Sequence, residues 1–368
     1  MKRFLILHVF GALLVAMAHG ATNFELAAKA TNELAVDLHR QLATGDENLC
    51  ISPYSIESAL AMTFAGADGE TRTEMARVLH LTNDSTVPAS FAVLQHSLEQ
   101  MSTKTAELVK QSKKFGGPSE PITLNIANRL FAQKGYAFRE AFLSLVKQNF
   151  GGAFEPIDFV ANAAAATQRI NKWVEDQTHD RIRDLIPAGA LDKTTRLVLA
   201  NALYVKAPWA SEFSDNATQP EPFHVRGGTP ATVPTMRKTD RSFGYSKREG
   251  FIAVSLPYVG NDLQFVEALG MKTAFDQPKG SANFDKIAPR TPTDYLYISQ
   301  IFHKTFIAVD EKGTEAAAAT AVAMLAGTAL RSPPPPPIEV KVDRPFLYAI
   351  QHIPSGVCLF LGRVTDPR

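Results

Sequence analysis

The stretch from Asp310 to Pro345, DEKGTEAAAATAVAMLAGTALRSPPPPPIEVKVDRP, decides how the rest of the chain is to be read. It opens as a charged turn, Asp310, Glu311, Lys312 and Gly313, and then runs through small side chains, Ala316 to Ala319 followed by Thr320, Ala321 and Val322. Nothing large occurs before Met324. It ends in five prolines, Pro333 to Pro337, which favour extended polyproline II without sheet hydrogen bonds. Helix propensity alone makes the alanine run a helix. A run small on both faces, free of glycine and proline from Thr314 to Ala326, also enters a sheet as an added strand without clashing, and this explains its length better. Thr314, Ala316, Ala318, Thr320 and Val322 would then face inward, and none is bulky or charged enough to resist burial.

Glu311, Lys312, Gly313, Thr314, Glu315, Ala316, Ala317, Ala318, Ala319 and Thr320 together resemble the hinge of the reactive-centre loop of inhibitory serpins. That resemblance implies a loop, about residues 311–344, that serves as bait for a serine protease and inserts into the main β-sheet after cleavage. It further implies an α+β fold with a large, mainly antiparallel sheet, smaller sheets and about seven to nine helices. By the family's usual spacing the scissile bond lies between Gly327 and Thr328, but the proline-bearing arm lengthens the loop. Leu330, or Arg331 before Ser332, offers a protease pocket a better anchor than glycine does.

Working outward, Asn48 to Ile56 reads as a short strand, then Ser-Pro, then a helix rich in small residues that Ser52 or Ser55 would cap. The stretch resembles the serpin shutter, to which Ser52, Pro53, Ser55, Asn201 and His303 are assigned by that likeness. Thr123 to Phe131 alternates as a strand with one wet face, and Thr194 to Trp209 is β-branched and aromatic enough for a long central strand. Ser299 to Val309 reads as a further strand. Helical spacing marks 23–42, 72–81, 89–114, 138–150 and 163–179; in the last, Ile170, Trp173 and Val174 face a sheet, with Asn171, Lys172, Glu175 and Asp176 opposite. Closely spaced short strands follow between 223 and 258, and others at 340–343, 345–350 and 357–364. Asp343 to Tyr348 and Leu359 to Val364 resemble the closing signature of the same family, so the resemblance runs from about Phe24 to Pro367.

The pattern breaks near Phe265, where the chain passes almost directly from a β-hairpin to what resembles a late serpin helix. The family has several tens of residues there, including an edge strand of the main sheet. Such a loss would bare a sheet edge and core. It makes a non-inhibitory or inactive serpin-like protein, cleaved as a substrate, the alternative reading.

Composition sets the frame. With 368 residues, 45% hydrophobic and 20% charged, the chain is ordinary for a globular protein with a sizeable core. A formal net charge of +1 gives no argument for nucleic acid or membrane partners, and a monomer is expected. Residues 1–20 read as a secretory signal peptide, so residues 21–368 are read as one domain and the mature protein as extracellular, or periplasmic in a bacterium. Cys50 and Cys358 are expected as buried thiols rather than a bridge. Neither cofactor nor metal is expected. Lys104, Lys110, Lys113 and Lys114 form a basic cluster that is the candidate contact for a sulfated polysaccharide, although such spacing is more often a solvated face. Asn83 and Asn216 each lie in an N-x-S/T context. Ser52 or Ser55 with His303 suggests a hydrolase only weakly, because no nucleophile, zinc or phosphate-loop motif accompanies them.

Overall fold

The computed structural model describes residues 24–43, 47–82, 85–112, 120–225, 228–241, 243–248, 251–263, 284, 286–288, 296, 298, 302–314 and 338–368. Its principal sheet has the order β3-β2-β4-β9, where β2 is Thr123–Gln133, β3 Ala153–Ile157, β4 Leu197–Pro208 and β9 Gly313–Thr314. β2 and β4 are antiparallel over ten residue pairs, from Thr123 opposite Lys206 to Ala132 opposite Leu197. β3 adds to the other edge of β2 in parallel. On its far edge β4 is paired only at its end, Ala207 with Thr314 and Pro208 with Gly313, among the described residues.

Six α-helices are described: α1 Glu25–Leu42, α2 Pro53–Ala65, α3 Gly69–Val78, α4 Val87–Ser112, α5 Glu140–Phe150 and α6 Phe159–Gln177. α2 starts where the sequence allows two caps, and the structure chooses Ser52. Its hydroxyl accepts the Ser55 amide at 3.2 Å and Pro53 occupies the first turn, where its missing N–H costs nothing. α6 starts at Asp158, which accepts from the Ala161 amide, ahead of the alanines that the sequence suggested as the start. Its apolar side, Ile170, Trp173 and Val174, packs with Phe131, Ala200 and Ala202 of β2 and β4. Asn171 is a correction. It is buried, not solvated, because its side-chain amide donates to Ile186 O at 2.9 Å and accepts from Ile186 N at 2.8 Å, fixing the loop after the helix. The larger core gathers α1, α2 and α4 around a second sheet.

That sheet has the order β1-β11-β10, with β1 Leu49–Ile51, β10 Phe346–His352 and β11 Val357–Val364. Cys50, Gly362 and Tyr348 form one row across it. A Cβ on Gly362 would lie 2.3 Å from Cζ of Tyr348 and 2.4 Å from Leu49 O, so the tyrosine ring uses space that only glycine leaves. Gly362→Ala is therefore expected to lower stability by about 2 kcal/mol or more, through displacement of that ring and the strand beside it; an unchanged urea midpoint would show that the row repacks freely. The register also answers the cysteine question. Cys50 faces Gly362, and Cys358 lies four positions further along β11, roughly 13 Å at strand rise, beyond disulfide reach. Two hairpins complete the strands: β5 Gln219–Phe223 with β6 Ala231–Thr235, and β7 Gly244–Arg248 with β8 Phe251–Ser255.

Two expected strands are absent as ladders. Residues 340–343 carry no strand pairing, and 302–308 carry none either, although His303, Thr305 and Ile307 are more buried than Lys304, Phe306 and Ala308. The alternation of a strand survives there without its rungs. Side chains hold the segment instead: Thr305 Oγ1 donates to Cys50 O at 2.8 Å, and Lys304 Nζ donates to Asp184 O at 2.6 Å. A ladder needs a neighbouring strand about 4.8 Å away, and among the described residues none pairs with it.

Glu57 of α2 is a costly side chain of the core. It is fully buried, both carboxyl oxygens lack a hydrogen-bond partner among the described residues, and burial pushes its pKa well above the carboxylate range. The folded state therefore keeps a proton that the unfolded state releases above its ordinary pKa, and stability falls as pH rises past that value. Glu57→Met is expected to raise stability at neutral pH by about 1–3 kcal/mol, read as a higher urea midpoint. A lower midpoint would mean that the carboxyl is satisfied after all.

Candidate functional site

The root of the small-residue segment is locked by backbone groups, with the side chains of Asp310 and Trp209 joining in. Asp310 folds a tight turn: its carboxylate accepts the amides of Lys312 at 2.9 Å and Gly313 at 3.1 Å, and its own N–H donates to Gly313 O at 2.9 Å. The turn then docks on the end of β4. Trp209 N donates to Lys312 O at 2.8 Å, Phe213 N to Glu311 O at 2.7 Å, and the Trp209 indole to Asp310 O at 2.9 Å. Gly313 and Thr314 are both buried as β9. Glycine is required at 313 by close approach, since a Cβ there would lie 2.3 Å from Ala207 O and 2.6 Å from Pro208 Cα. Thr314 Oγ1 lies 2.7 Å from the Tyr258 hydroxyl, and the Tyr258 ring stacks on Trp209 with centroids 4.5 Å apart and planes 9° from parallel. Glu311 stays outside this pocket. Its carboxylate accepts from Thr218 Oγ1 at 2.6 Å, and that bond, with help from Lys312, holds its pKa below the usual range.

Glu315, Ala316, Ala317, Ala318, Ala319 and Thr320 lie outside the described residues, as do Gly327, Thr328, Leu330, Arg331 and Ser332. The same is true of residues 1–20, Lys113, Lys114 and Asn83. Asn216 is exposed in a short turn, 215–217. Lys104 and Lys110 are exposed on α4, and Lys110 is 3.7 Å from Glu107, so one of the two cations already faces a carboxylate.

Ser52, Ser55, Asn201 and His303, distant in sequence, converge beneath β2 and β4. Ser52 N donates to His303 Nε2 at 3.1 Å and Ser52 Oγ to Leu359 O at 2.7 Å. Ser55 Oγ donates to Asn201 Oδ1; Asn201 Nδ2 donates to Asn128 Oδ1 at 2.6 Å, and Asn128 Nδ2 to Phe150 O at 2.7 Å. The chain of donors ties α2, β4, β2 and α5 together, as a satisfied polar network must in a low-dielectric interior. His303 keeps part of its surface exposed, yet the protein packed around it pushes its pKa down to about 4. Its Nε2 is therefore a neutral acceptor. Neither serine hydroxyl bonds to it, because one is spent on Leu359 O and the other on Asn201, so this arrangement is not a nucleophile and its base.

Sequence reasoning missed Trp209, Thr218, Tyr258 and Asn128 as members of these sites. Trp209 and Tyr258 stand at the ends of predicted strands, and only their bridge to one another, Trp209 opposite Tyr258, brings them under the hinge. Nothing in their local sequence marks that meeting.

Together, a main sheet with four strands among the described residues, a polar network beneath it and a hinge strand docked on the end of β4 define an α+β protein organised around one sheet edge. The chain belongs to the serpin family, whose model, described as serpin (serine protease inhibitor), matches residues 29–267 and 263–367. An uncharacterized serpin-like protein of Thermococcus kodakarensis is 33% identical over 384 positions, covering 92% of this chain and 85% of that protein. The leukocyte elastase inhibitor of Sus scrofa is 30% identical over 399 positions, covering 93% of this chain and all of its own length. Among solved structures, cleaved Serpin 42Da is 25% identical with a TM-score of 0.69, covering 94% of this chain and 98% of that one. The family model is matched in two stretches that meet at 263–267, next to the break in the family pattern near Phe265. The alignments also run longer than this chain's share of them, so tens of positions in each relative face no residue here.

Proposed function

We propose that this chain is a secreted suicide-substrate inhibitor of serine proteases. The observation that carries the reading is β9: the root of the small-residue segment already occupies the first rungs on the far edge of β4, and no strand pairs that edge from Leu197 to Lys206 among the described residues. In the proposed reaction the protease serine oxygen attacks the carbonyl carbon of the scissile residue, at Gly327 or alternatively Leu330 or Arg331. The peptide C–N bond breaks, the amine leaves with a proton, and an ester joins loop to protease. The loop then continues as a strand along the open edge of β4, drawing the tethered protease with it before water reaches the ester. Small inward side chains keep that path free of clashes, and the Ser55–Asn201–Asn128 network is the polar seam that must part and close as it advances.

The test mixes the mature chain with trypsin, chymotrypsin, elastase and subtilisin, followed by denaturing gels and mass spectrometry of the released peptide. A denaturation-resistant complex supports the reading, and the peptide mass fixes the bond. Cleavage with no complex supports instead a non-inhibitory serpin-like protein consumed as a substrate. That second reading is favoured by the two-stretch family match, whose stretches meet where the resemblance implies that an edge strand of the main sheet has been lost.

A further inference from the structure

Of the side-chain bonds that hold the hinge, the one at Thr314 is buried and was not foreshadowed in the sequence. Thr314 is 2% exposed, and its hydroxyl lies 2.7 Å from that of Tyr258. Tyr258 is itself 5% exposed and cannot swing away freely, since its ring lies flat on Trp209, whose indole in turn donates to Asp310 O at the start of the same turn. Tyrosine, tryptophan and hinge thus form a closed circuit: Trp209 grips the turn by its backbone, and Tyr258 grips the first side chain beyond it.

We propose that Tyr258 is the positioning residue of the hinge, a latch whose hydroxyl keeps Thr314 seated beside β4 in the uncleaved chain and thereby sets how readily the loop is drawn out or runs in. The proposal rests on the reading of the chain as a loop-inserting inhibitor and specifies its regulation. A buried hydroxyl pair gives the seated state a modest, discrete advantage; releasing it requires both groups to lose their partner at once. The latch also accounts for the way Gly313 and Thr314 are seated together. Gly313 lets the backbone reach Ala207 and Pro208, and Thr314 then meets Tyr258.

Two readouts test it on the full mature chain. The first is amide hydrogen exchange of a peptide spanning the hinge. Tyr258→Phe, which removes only the hydroxyl, is expected to speed exchange there by about three- to tenfold, leaving β2 unchanged. Thr314→Val should do the same, the double variant no more than either alone, and Thr314→Ser should behave as wild type. Gly313→Ala sets the limit of an evicted hinge. Wild-type exchange in Tyr258→Phe, or additive effects in the double variant, overturns the latch. If Tyr258→Phe does not fold, Thr314→Val against Thr314→Ser decides the same question from the other side. The second readout is the number of inhibitor molecules consumed per protease trapped, expected to change in Tyr258→Phe and to recover in Thr314→Ser. A wild-type chain that traps nothing defeats the inhibitor reading, while the exchange result still upholds or overturns the latch.

Discussion

Thr314→Arg is expected to turn a trapping encounter into simple cleavage, with the inhibitor consumed per complex rising by at least about tenfold while loop cleavage continues. The site has no room for the guanidinium. Thr314 is buried opposite Ala207 with its hydroxyl on Tyr258, and the charged groups of the turn are already engaged: Asp310 by the amides of Lys312 and Gly313, Glu311 by Thr218. Seating an unpaired cation there costs several kcal/mol, so the hinge leaves β4 and the first rung of insertion is lost. The uncleaved fold survives, because the hinge can be expelled to solvent without disturbing the ladder between β2 and β4. Titration of a fixed amount of protease measures the effect, with Thr314→Ser as the control of normal stoichiometry. Equal stoichiometry in wild type and Thr314→Arg would rule out insertion that begins at this residue.

Between about pH 6.5 and pH 4 the two buried histidines should lower stability as acid is added, against the opposite and smaller contribution of the single carboxyl of Glu57. His303 has its pKa pushed down to about 4 by burial, and His352 to about 4 by burial with a smaller contribution from Lys104. Between pH 4 and the ordinary histidine value of about 6.5 the unfolded chain binds a proton at each site that the folded chain refuses. The histidine contribution therefore falls with decreasing pH across that window, by about 1.4 kcal/mol per pH unit per histidine, and is spent below pH 4. Each contributes at most about 3 kcal/mol, together a large part of a typical domain's 5–15 kcal/mol. The structural consequence differs between the two. Protonating His303 removes the acceptor for Ser52 N–H and so releases α2 from the 302–308 segment; His352 Nδ1 contacts Ser355 Oγ at 2.7 Å, in a surface turn. His303→Gln, whose side-chain oxygen can take the Ser52 amide, should remove about half of the pH dependence of the urea midpoint. An unaltered slope would assign the acid sensitivity elsewhere.

The sequence by itself determined the elements whose signals are local. β2 and β4 follow from alternation and β-branched content, α6 from its apolar stripe, the start of α2 from Ser-Pro, and the family from motifs in order along the chain. It also located the interruption near Phe265, since a missing interval is visible wherever neighbouring motifs stand too close. Tertiary structure alone decided what depends on meetings between distant residues. It made Ser52 the cap, with the helix starting at Pro53, and left the Ser55 hydroxyl inside the first turn to reach Asn201. It buried Asn171, which helical periodicity placed in water, because a loop fifteen residues on supplies both a donor and an acceptor. The strand-like 302–308 segment has no ladder among the described residues, because hydrogen bonds require a partner strand and alternation only describes one face. And Thr314, read from composition as a residue that can be buried, is in fact already buried, since Trp209 and Tyr258 close around it from strands whose sequences carry no mark of the hinge.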